Sequence, residues 1–446
     1  MNQLLSLLFF SLALVSLGMI FPVQALAQGE REITLEEAFH SALRHNTLVS
    51  ASAFRIDQAK ENTRIARSPM FPQVVLQGRA IRLKETPTFT SPEGQPDAFP
   101  GFPAFPDRYN EVSIQASQVL FQGGRLMSGL QASRYITDAS EFEDYRTRQR
   151  ILFSVSNGFY NVLFARRSTE IAESQLSRAN QHLELARQRH EVGLVERTAV
   201  LRAQVQVAAA MESLEQARNN HAIAMEQLAL EMGIPTPPES VKEPEEIHLE
   251  NISVEAYIEI AFNNRRDLFA SEKGLLAFQK QVEAERRAYL PAISMEGSYS
   301  WADDDAVYYG DNYTWQAALV FTYPLFTGLR DTAQIARAKA REAEAQASHN
   351  RIRQEIRVDA RSAYADIRTR KKMVQHFTDQ VEAARANHDQ LSAMFAEGIV
   401  STIDVVDAQA TLNEAEQGLA SVYYRLQLDK QRLRLAIGMF QHDLLN

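Results

Sequence analysis

The 446-residue sequence contains no cysteine. That excludes disulfides, thiolate metal sites, cysteine nucleophiles and a lipidated N-terminal cysteine. An excess of positive charge is missing too. The formal net charge is −9, which gives no support for nucleic-acid binding. No phosphate-binding G-x-x-x-x-G-K-[ST], zinc-binding H-E-x-x-H, G-x-S-x-G elbow or dinucleotide G-x-G-x-x-G occurs. The histidines are scattered, and His182 and His190 have no second ligand at metal spacing. The sequence thus offers no catalytic, metal or cofactor site, and an enzyme is the least favoured class.

Long apolar runs are scarce. Leu4–Phe21 is almost wholly apolar and is followed by Ala25-Leu26-Ala27 and the polar Gln28-Gly29-Glu30. The pattern reads as a secretory signal over residues 1–27. No Lys or Arg precedes the run, and it is long enough to span a bilayer, so an uncleaved anchor is the competing reading. Later segments have no run of about 18 apolar residues, which excludes a spanning helix but leaves other routes into a membrane.

What the chain does contain, it contains twice. Ile33, Pro72 and Gly78 recur as Ile252, Pro291 and Gly297, 219 residues on. Leu120, Gly123, Gly193, Gln204 and Gly233 recur as Leu325, Gly328, Gly398, Gln409 and Gly438, 205 residues on. The difference falls in a proline-rich loop near Thr86–Pro106 that the second copy lacks. A unit of this length is no solenoid repeat but a duplicated half-molecule. The expected organisation is a first repeat over 28–232, a linker over 233–251 rich in proline (Pro235, Pro237, Pro238, Pro244) and a second repeat over 252–446.

Each half carries two segments of period two, predicted as strands over 72–84, 110–120, 291–302 and 312–323. In the third, Ile293, Met295, Gly297, Tyr299 and Trp301 alternate with Ser294, Glu296, Ser298 and Ser300. In the fourth, Tyr313, Trp315, Ala317, Leu319, Phe321 and Tyr323 alternate with polar partners. Alternation over about 10 residues suits a strand with hydrocarbon on one face and water on the other. Tyr299, Trp301, Tyr313 and Trp315 gather at one end and Tyr323 at the other, as in an interfacial aromatic belt. A soluble sheet packed on helices is the alternative. Four strands cannot close a cylinder, for which about eight is the minimum, so membrane strands here require an oligomer.

The helical segments are too long for a globule. Residues 331–397 hold neither glycine nor proline, and a helix over 330–397 would run about 100 Å. Its counterpart spans 125–192, shorter helices are predicted over 199–232 and 402–437, and helices over 35–68 and 254–288 lead into the strands. Ile352, Ile356, Ala360, Ala363, Ile367, Val374, Phe377, Val381, Ala384, Leu391 and Phe395 recur at three- and four-residue steps, a seam thinned by alanine. A coiled-coil rod would share that seam but explains neither the strands nor the leader.

Val119-Leu120-Phe121-Gln122-Gly123-Gly124-Arg125 and Pro324-Leu325-Phe326-Thr327-Gly328-Leu329-Arg330 resemble the strand-to-helix signature of the TolC-like outer-membrane efflux proteins. Arg189-His190-Glu191-Val192-Gly193-Leu194-Val195 and Glu397-Gly398-Ile399-Val400-Ser401-Thr402-Ile403-Asp404-Val405-Val406-Asp407 resemble that family's two hairpin tips. The resemblance covers about residues 30–440. It implies an α+β membrane protein, a homotrimer whose chains each lend four strands to a twelve-stranded transmembrane barrel continued by a long periplasmic helical barrel. It implies a passive exit channel in outer-membrane lipid for tripartite efflux or type I secretion. Its partners would be a periplasmic adaptor (membrane fusion protein) and, through it, an inner-membrane pump. The alternative is a periplasmic coiled-coil adaptor or scaffold without a channel. Val192, Gly193, Leu194, Gly398 and Ile399 would dock the adaptor.

Asp404 and Asp407 lie three apart, so their carboxylates share a helix face. By resemblance they stand at the periplasmic constriction, where six carboxylates in a trimer would repel, raise some pKa values and favour cations. A solvated N-terminal helix turn is the plainer reading. Their first-half counterparts are Ala199 and Arg202. The chain also departs from the family: Val400 and Phe395 replace an arginine and a tyrosine that tether the closed gate, and Ala199 replaces an aspartate. Asp303-Asp304-Asp305 reads as an acidic loop tip or cation site, and Ala98–Pro106 as an apolar, proline-stiffened loop that folds inward or over the barrel mouth as a lid. The cargo is not legible.

Overall fold

The computed structural model describes residues 32–82, 84, 108–250, 252–304, 313–440 and 444. The chain begins with β1 (Glu32–Ile33), α1 (Leu35–His45), α2 (Thr47–Arg67), β2 (Gln73–Arg82), β3 (Arg108–Gln122), α3 (Arg125–Glu191) and α4 (Arg197–Met232). It continues with β4 (Ser240–Val241), α5 (Val254–Asn264), α6 (Arg266–Arg286), β5 (Ala292–Asp304), β6 (Tyr313–Thr322), α7 (Arg330–Glu397) and α8 (Thr402–Ala436). The leader, the proline-rich loop and Asp305 lie outside the described residues, as do the side chains of Asp303 and Asp304.

Two expected helices, over 35–68 and 254–288, are each broken in two. The breaks fall at Asn46 (φ −69, ψ 125) and Arg265 (φ −72, ψ 113), single extended residues at equivalent places in the repeat. Asn46 accepts the Leu48 N–H at 2.9 Å, capping α2, and its Nδ2 donates to the Glu231 carbonyl at 2.8 Å. Arg265 donates to Asp267 and, at 2.7 Å, to Asp359. A glycine is seated against each break. Gly233 (φ +72) lies where a Cβ would fall 2.5 Å from the His45 carbonyl carbon, and Gly438 (φ +75) where one would fall 2.7 Å from that of Asn264. Positive φ and close backbone approach together explain why glycine recurs at the ends of α4 and α8.

The pair β1–β4 is parallel and was not anticipated; it places part of the expected linker beside the first repeat. Two-residue strands are too short to show a period of two. The remaining strands form one antiparallel sheet in the order β2-β3-β5-β6, with a bulge between Val119 and Phe121. β3 runs from Arg108 to Gln122, longer than the predicted 110–120.

The helices pack in pairs, α3 on α4 and α7 on α8, with α3 also lying along α6 and α8. Two buried clusters hold the middle of the molecule. One joins Phe39, Leu152, Phe159, Leu163, Leu228, Met232 and Phe440, and the other Tyr257, Ile356, Ile367, Leu433 and Ile437. Each such side chain contributes about 1.5–3 kcal/mol on burial. Away from the middle the seam narrows to small groups such as Ala384, Leu412 and Ala415. Alanine lets long helices approach closely without a bulky core. No helix among the described residues is long and apolar enough to cross a membrane.

Candidate functional site

The strand register decides which side chains share a face. Leu76, Ile114, Tyr299 and Trp315 form one cross-strand row, and Gly78, Val112, Trp301 and Tyr313 the next. Val74, Ala116, Gly297 and Ala317 continue the same apolar face. The opposite face carries Gln77, Ser113, Ser300 and Thr314, and then Val75, Gln115, Ser298 and Gln316. Ser300 and Thr314 share a hydrogen bond at 2.8 Å. The apolar face is uncovered by the rest of the chain: Trp315 is 72% exposed, Leu319 70% and Phe321 67%. The Tyr299 and Tyr313 rings stack at 6.1 Å. Tyr323 lies just past β6, and eight residues of strand separate it from Trp315. At about 3.3 Å per residue that is about 26 Å, close to the height of the apolar band of an outer-membrane barrel.

Both hairpin tips use one device. At the first, Gly193 (φ +75) ends α3, the Leu194 N–H donates to the Arg189 carbonyl at 2.8 Å and the Gly193 N–H to His190 at 3.0 Å. At the second, Gly398 (φ +86) ends α7, the Ile399 N–H donates to Met394 and the Gly398 N–H to Phe395, both at 3.0 Å. These bonds satisfy the last helical carbonyls and leave Val192, Leu194 and Ile399 more than 60% exposed.

Asp404 is the third residue of α8. Its carboxylate accepts from the Ser401 N–H at 2.8 Å and the Ser401 hydroxyl at 2.7 Å, completing a capping box that the sequence reading had not identified. Those bonds hold the carboxyl below the usual carboxylate range in the single protomer, before any neighbouring carboxylate acts. Asp407 is exposed on the same side, whereas Val405 and Ala408 turn into the helix packing. The spacing therefore yields one charged and one buried stripe.

The tips and Asp404 come together at one end. Leu183 and Ala186 of α3, Ala203 and Val207 of α4, Phe395 of α7 and Val405 of α8 share a single buried cluster there. The aromatic residues sit at the other end, separated from the tips by the 67-residue α3 and 68-residue α7. Among the described residues no group of three or more His, Asp or Glu could hold a metal ion.

Residues 38–233 and 257–439 match the family model described as outer membrane efflux protein. The chain belongs to that family. The efflux protein is 24% identical over 438 residues to "Outer membrane protein TolC" of Escherichia coli (strain K12), covering 94% of this chain and 85% of that one. It is 24% identical over 413 residues to "Pyoverdine export outer membrane protein OpmQ" of Pseudomonas aeruginosa, covering 91% and 84%. Among solved structures it resembles CusC, at TM-score 0.78 and 19% identity over 91% of this chain and 92% of that one. It also resembles the outer membrane protein VceC of Vibrio cholerae, at TM-score 0.74 and 20% identity over 91% and 96%. The efflux protein is thus an outer-membrane channel component with the fold of those channels, and its relatives are transport channels rather than enzymes. The alternative of an adaptor or scaffold without a channel loses its support.

Proposed function

We propose that the efflux protein assembles as a homotrimer whose twelve strands close a barrel in outer-membrane lipid. It then conducts cargo passively from a periplasmic adaptor and inner-membrane pump, in tripartite efflux or type I secretion. The observation that carries the reading is a four-stranded sheet, apolar along one face but for Asn110, Gln118 and the strand ends, with β2 and β6 unpaired at its edges among the described residues. In lipid each orphaned backbone group costs several kcal/mol, so the edges must pair with copies of themselves.

The repeat supports the same conclusion. Gly123 and Gly124 are covered inside the chain by Leu290 and Arg287, whose guanidinium donates to the Gly124 carbonyl at 3.1 Å. The equivalent second-half junction is bare: Leu325, Phe326 and Leu329 are 86%, 81% and 70% exposed. By the repeat register Leu290 corresponds to Phe71, half-exposed on the opposite flank. A ring of copies brings the Phe71 of one onto the Gly328–Leu329 turn of the next.

In the trimer Asp404 and Asp407 form two stacked carboxylate rings at the periplasmic mouth, and Val192, Gly193, Leu194, Gly398 and Ile399 meet the adaptor. The reading is tested on purified protein by detergent-resistant trimer bands and single-channel recording in planar bilayers. Discrete cation-favouring channels are expected, and Asp404→Ala with Asp407→Ala raises conductance and reduces cation preference. A protein that stays monomeric and soluble without detergent refutes the channel. Unchanged conductance and selectivity in the double variant refutes the gate.

A further inference from the structure

We propose that Arg189 and Phe395 form the lock that holds the carboxylate-bearing tip of the second hairpin against the first hairpin. The inference rests on the gate reading above. Phe395 stands where the family resemblance implies a tethering tyrosine, and a phenylalanine cannot make that hydrogen bond. The structure gives its ring another partner. The Arg189 guanidinium, from the last turn of α3, lies 5.3 Å over the Phe395 ring centroid. Both side chains are buried, Arg189 at 7% and Phe395 at 1% exposure. On the ring's other contacts, His182 approaches at 4.8 Å between centroids.

Three further features tie this contact to the tip. A Cβ on Gly398 would fall 2.7 Å from Arg189 Nη2, so the guanidinium presses directly on the turn that reverses the second hairpin. Phe395 shares its buried cluster with Val405, the residue next to Asp404, so ring and gate carboxylate are mechanically linked. Finally, Arg189 Nε and Nη1 are buried without a hydrogen-bond partner. The charge is therefore met by the ring face and by the negative ends of α3 and α7, which both terminate here.

An arginine left in this state favours closure through the ring and opening through hydration. Desolvating a guanidinium without hydrogen-bond partners is costly, and that cost is relieved once the second hairpin swings away and water enters. The contact thus holds the gate shut with a bias toward release, which suits a gate that a partner must open.

The test is single-channel recording of the purified full protein carrying Arg189→Gln, Phe395→Leu, the double variant, or Phe395→Tyr. A desolvated cation–π contact corresponds to roughly a ten- to thirtyfold change in an open-to-closed ratio. Phe395→Leu, which removes the ring but keeps the buried guanidinium, should raise the open fraction on that scale, and Arg189→Gln, which also removes the desolvation cost, should raise it by less. The double variant should add nothing to the larger of the two, and Phe395→Tyr should behave as the parent. Cation preference should not change in any of them, because Asp404 and Asp407 remain. Additive effects, or parental open fractions in both single variants, overturn the lock. Should one variant fail to assemble, the other still decides through its open fraction and its unaltered selectivity. If the lock variants act while the aspartate variants change nothing, the carboxylate rings fail and the lock stands; the reverse pattern sinks the lock alone.

Discussion

A single arginine on either face of β6 separates a membrane wall from an ordinary sheet. Leu319 lies four residues from Trp315 and four from Tyr323, which puts it about 13 Å from each and midway across the apolar band. It is 70% exposed within the chain, on the face shared with Met295 opposite it. An arginine at mid-depth on a lipid-facing strand costs about 2–4 kcal/mol. In a three-copy barrel Leu319→Arg therefore removes about 6–12 kcal/mol per assembly, a large part of any barrel's stability. Gln316→Arg places the same charge three residues away on the polar face, in the row with Ser298, and should cost less than about 1 kcal/mol per copy. The assay is urea-titrated folding into lipid vesicles, followed by tryptophan fluorescence. Both tryptophans of the chain, Trp301 and Trp315, sit in this sheet, so the signal reports its insertion directly. Equal losses for the two variants, or a greater loss for Gln316→Arg, would refute the assignment of the lipid-facing side.

Two other outcomes follow from groups outside the sheet. Arg265 is 5% exposed at its side chain and pairs with Asp267 and Asp359, while the buried Arg146, drawn down to about 10 by burial, lies 3.7 Å from the same Asp267 carboxylate. Asp267→Ala takes the only paired carboxylate from Arg146 and leaves Arg265 with the half-exposed Asp359 alone, and should cost about 3–5 kcal/mol, read as a fall in the thermal midpoint; a loss under about 1 kcal/mol would show that the pairs are solvated. His182 has its pKa lowered, first by burial and then by the nearby His388, with the Phe395 ring also against it and Asp389 bonded to His388. As pH falls through about 6.5 the unfolded chain takes up this proton before the folded one does. Folding at the tips should then weaken by up to about 1.4 kcal/mol per pH unit, until the folded pKa is reached. The amide protection factors at Leu183–Arg189, that is, exchange corrected for its intrinsic pH dependence, should fall between pH 7.5 and 5.5, and His182→Leu should abolish the fall; a fall that persists in that variant would rule out His182 as its source.

What the sequence determined by itself were the properties that depend on local order. Period-two alternation marks which side chains of a strand share a face, because successive residues point to opposite sides whatever surrounds them. Long proline-free stretches, one of them glycine-free and alanine-rich, are helical on propensity, and glycine at 193 and 398 marks where they reverse. The breaks at Asn46 and Arg265 were not legible, because an extended residue amid good helix formers is held there by partners nearly 200 residues away, Glu231 and Gly233, or by Asp359. Asp404's cap hid behind its reading as a gate residue, although Ser401 three residues earlier was a sufficient signal. Arg189 resembled any charged residue in a polar helix. Only the tertiary structure, which lays α3 along α8 and α8 along α7, brings its guanidinium onto the Phe395 ring at the tips. Periodicity governs which way a side chain points along its own element, whereas contact partners depend on how elements are laid together, and that is settled by packing over the whole chain.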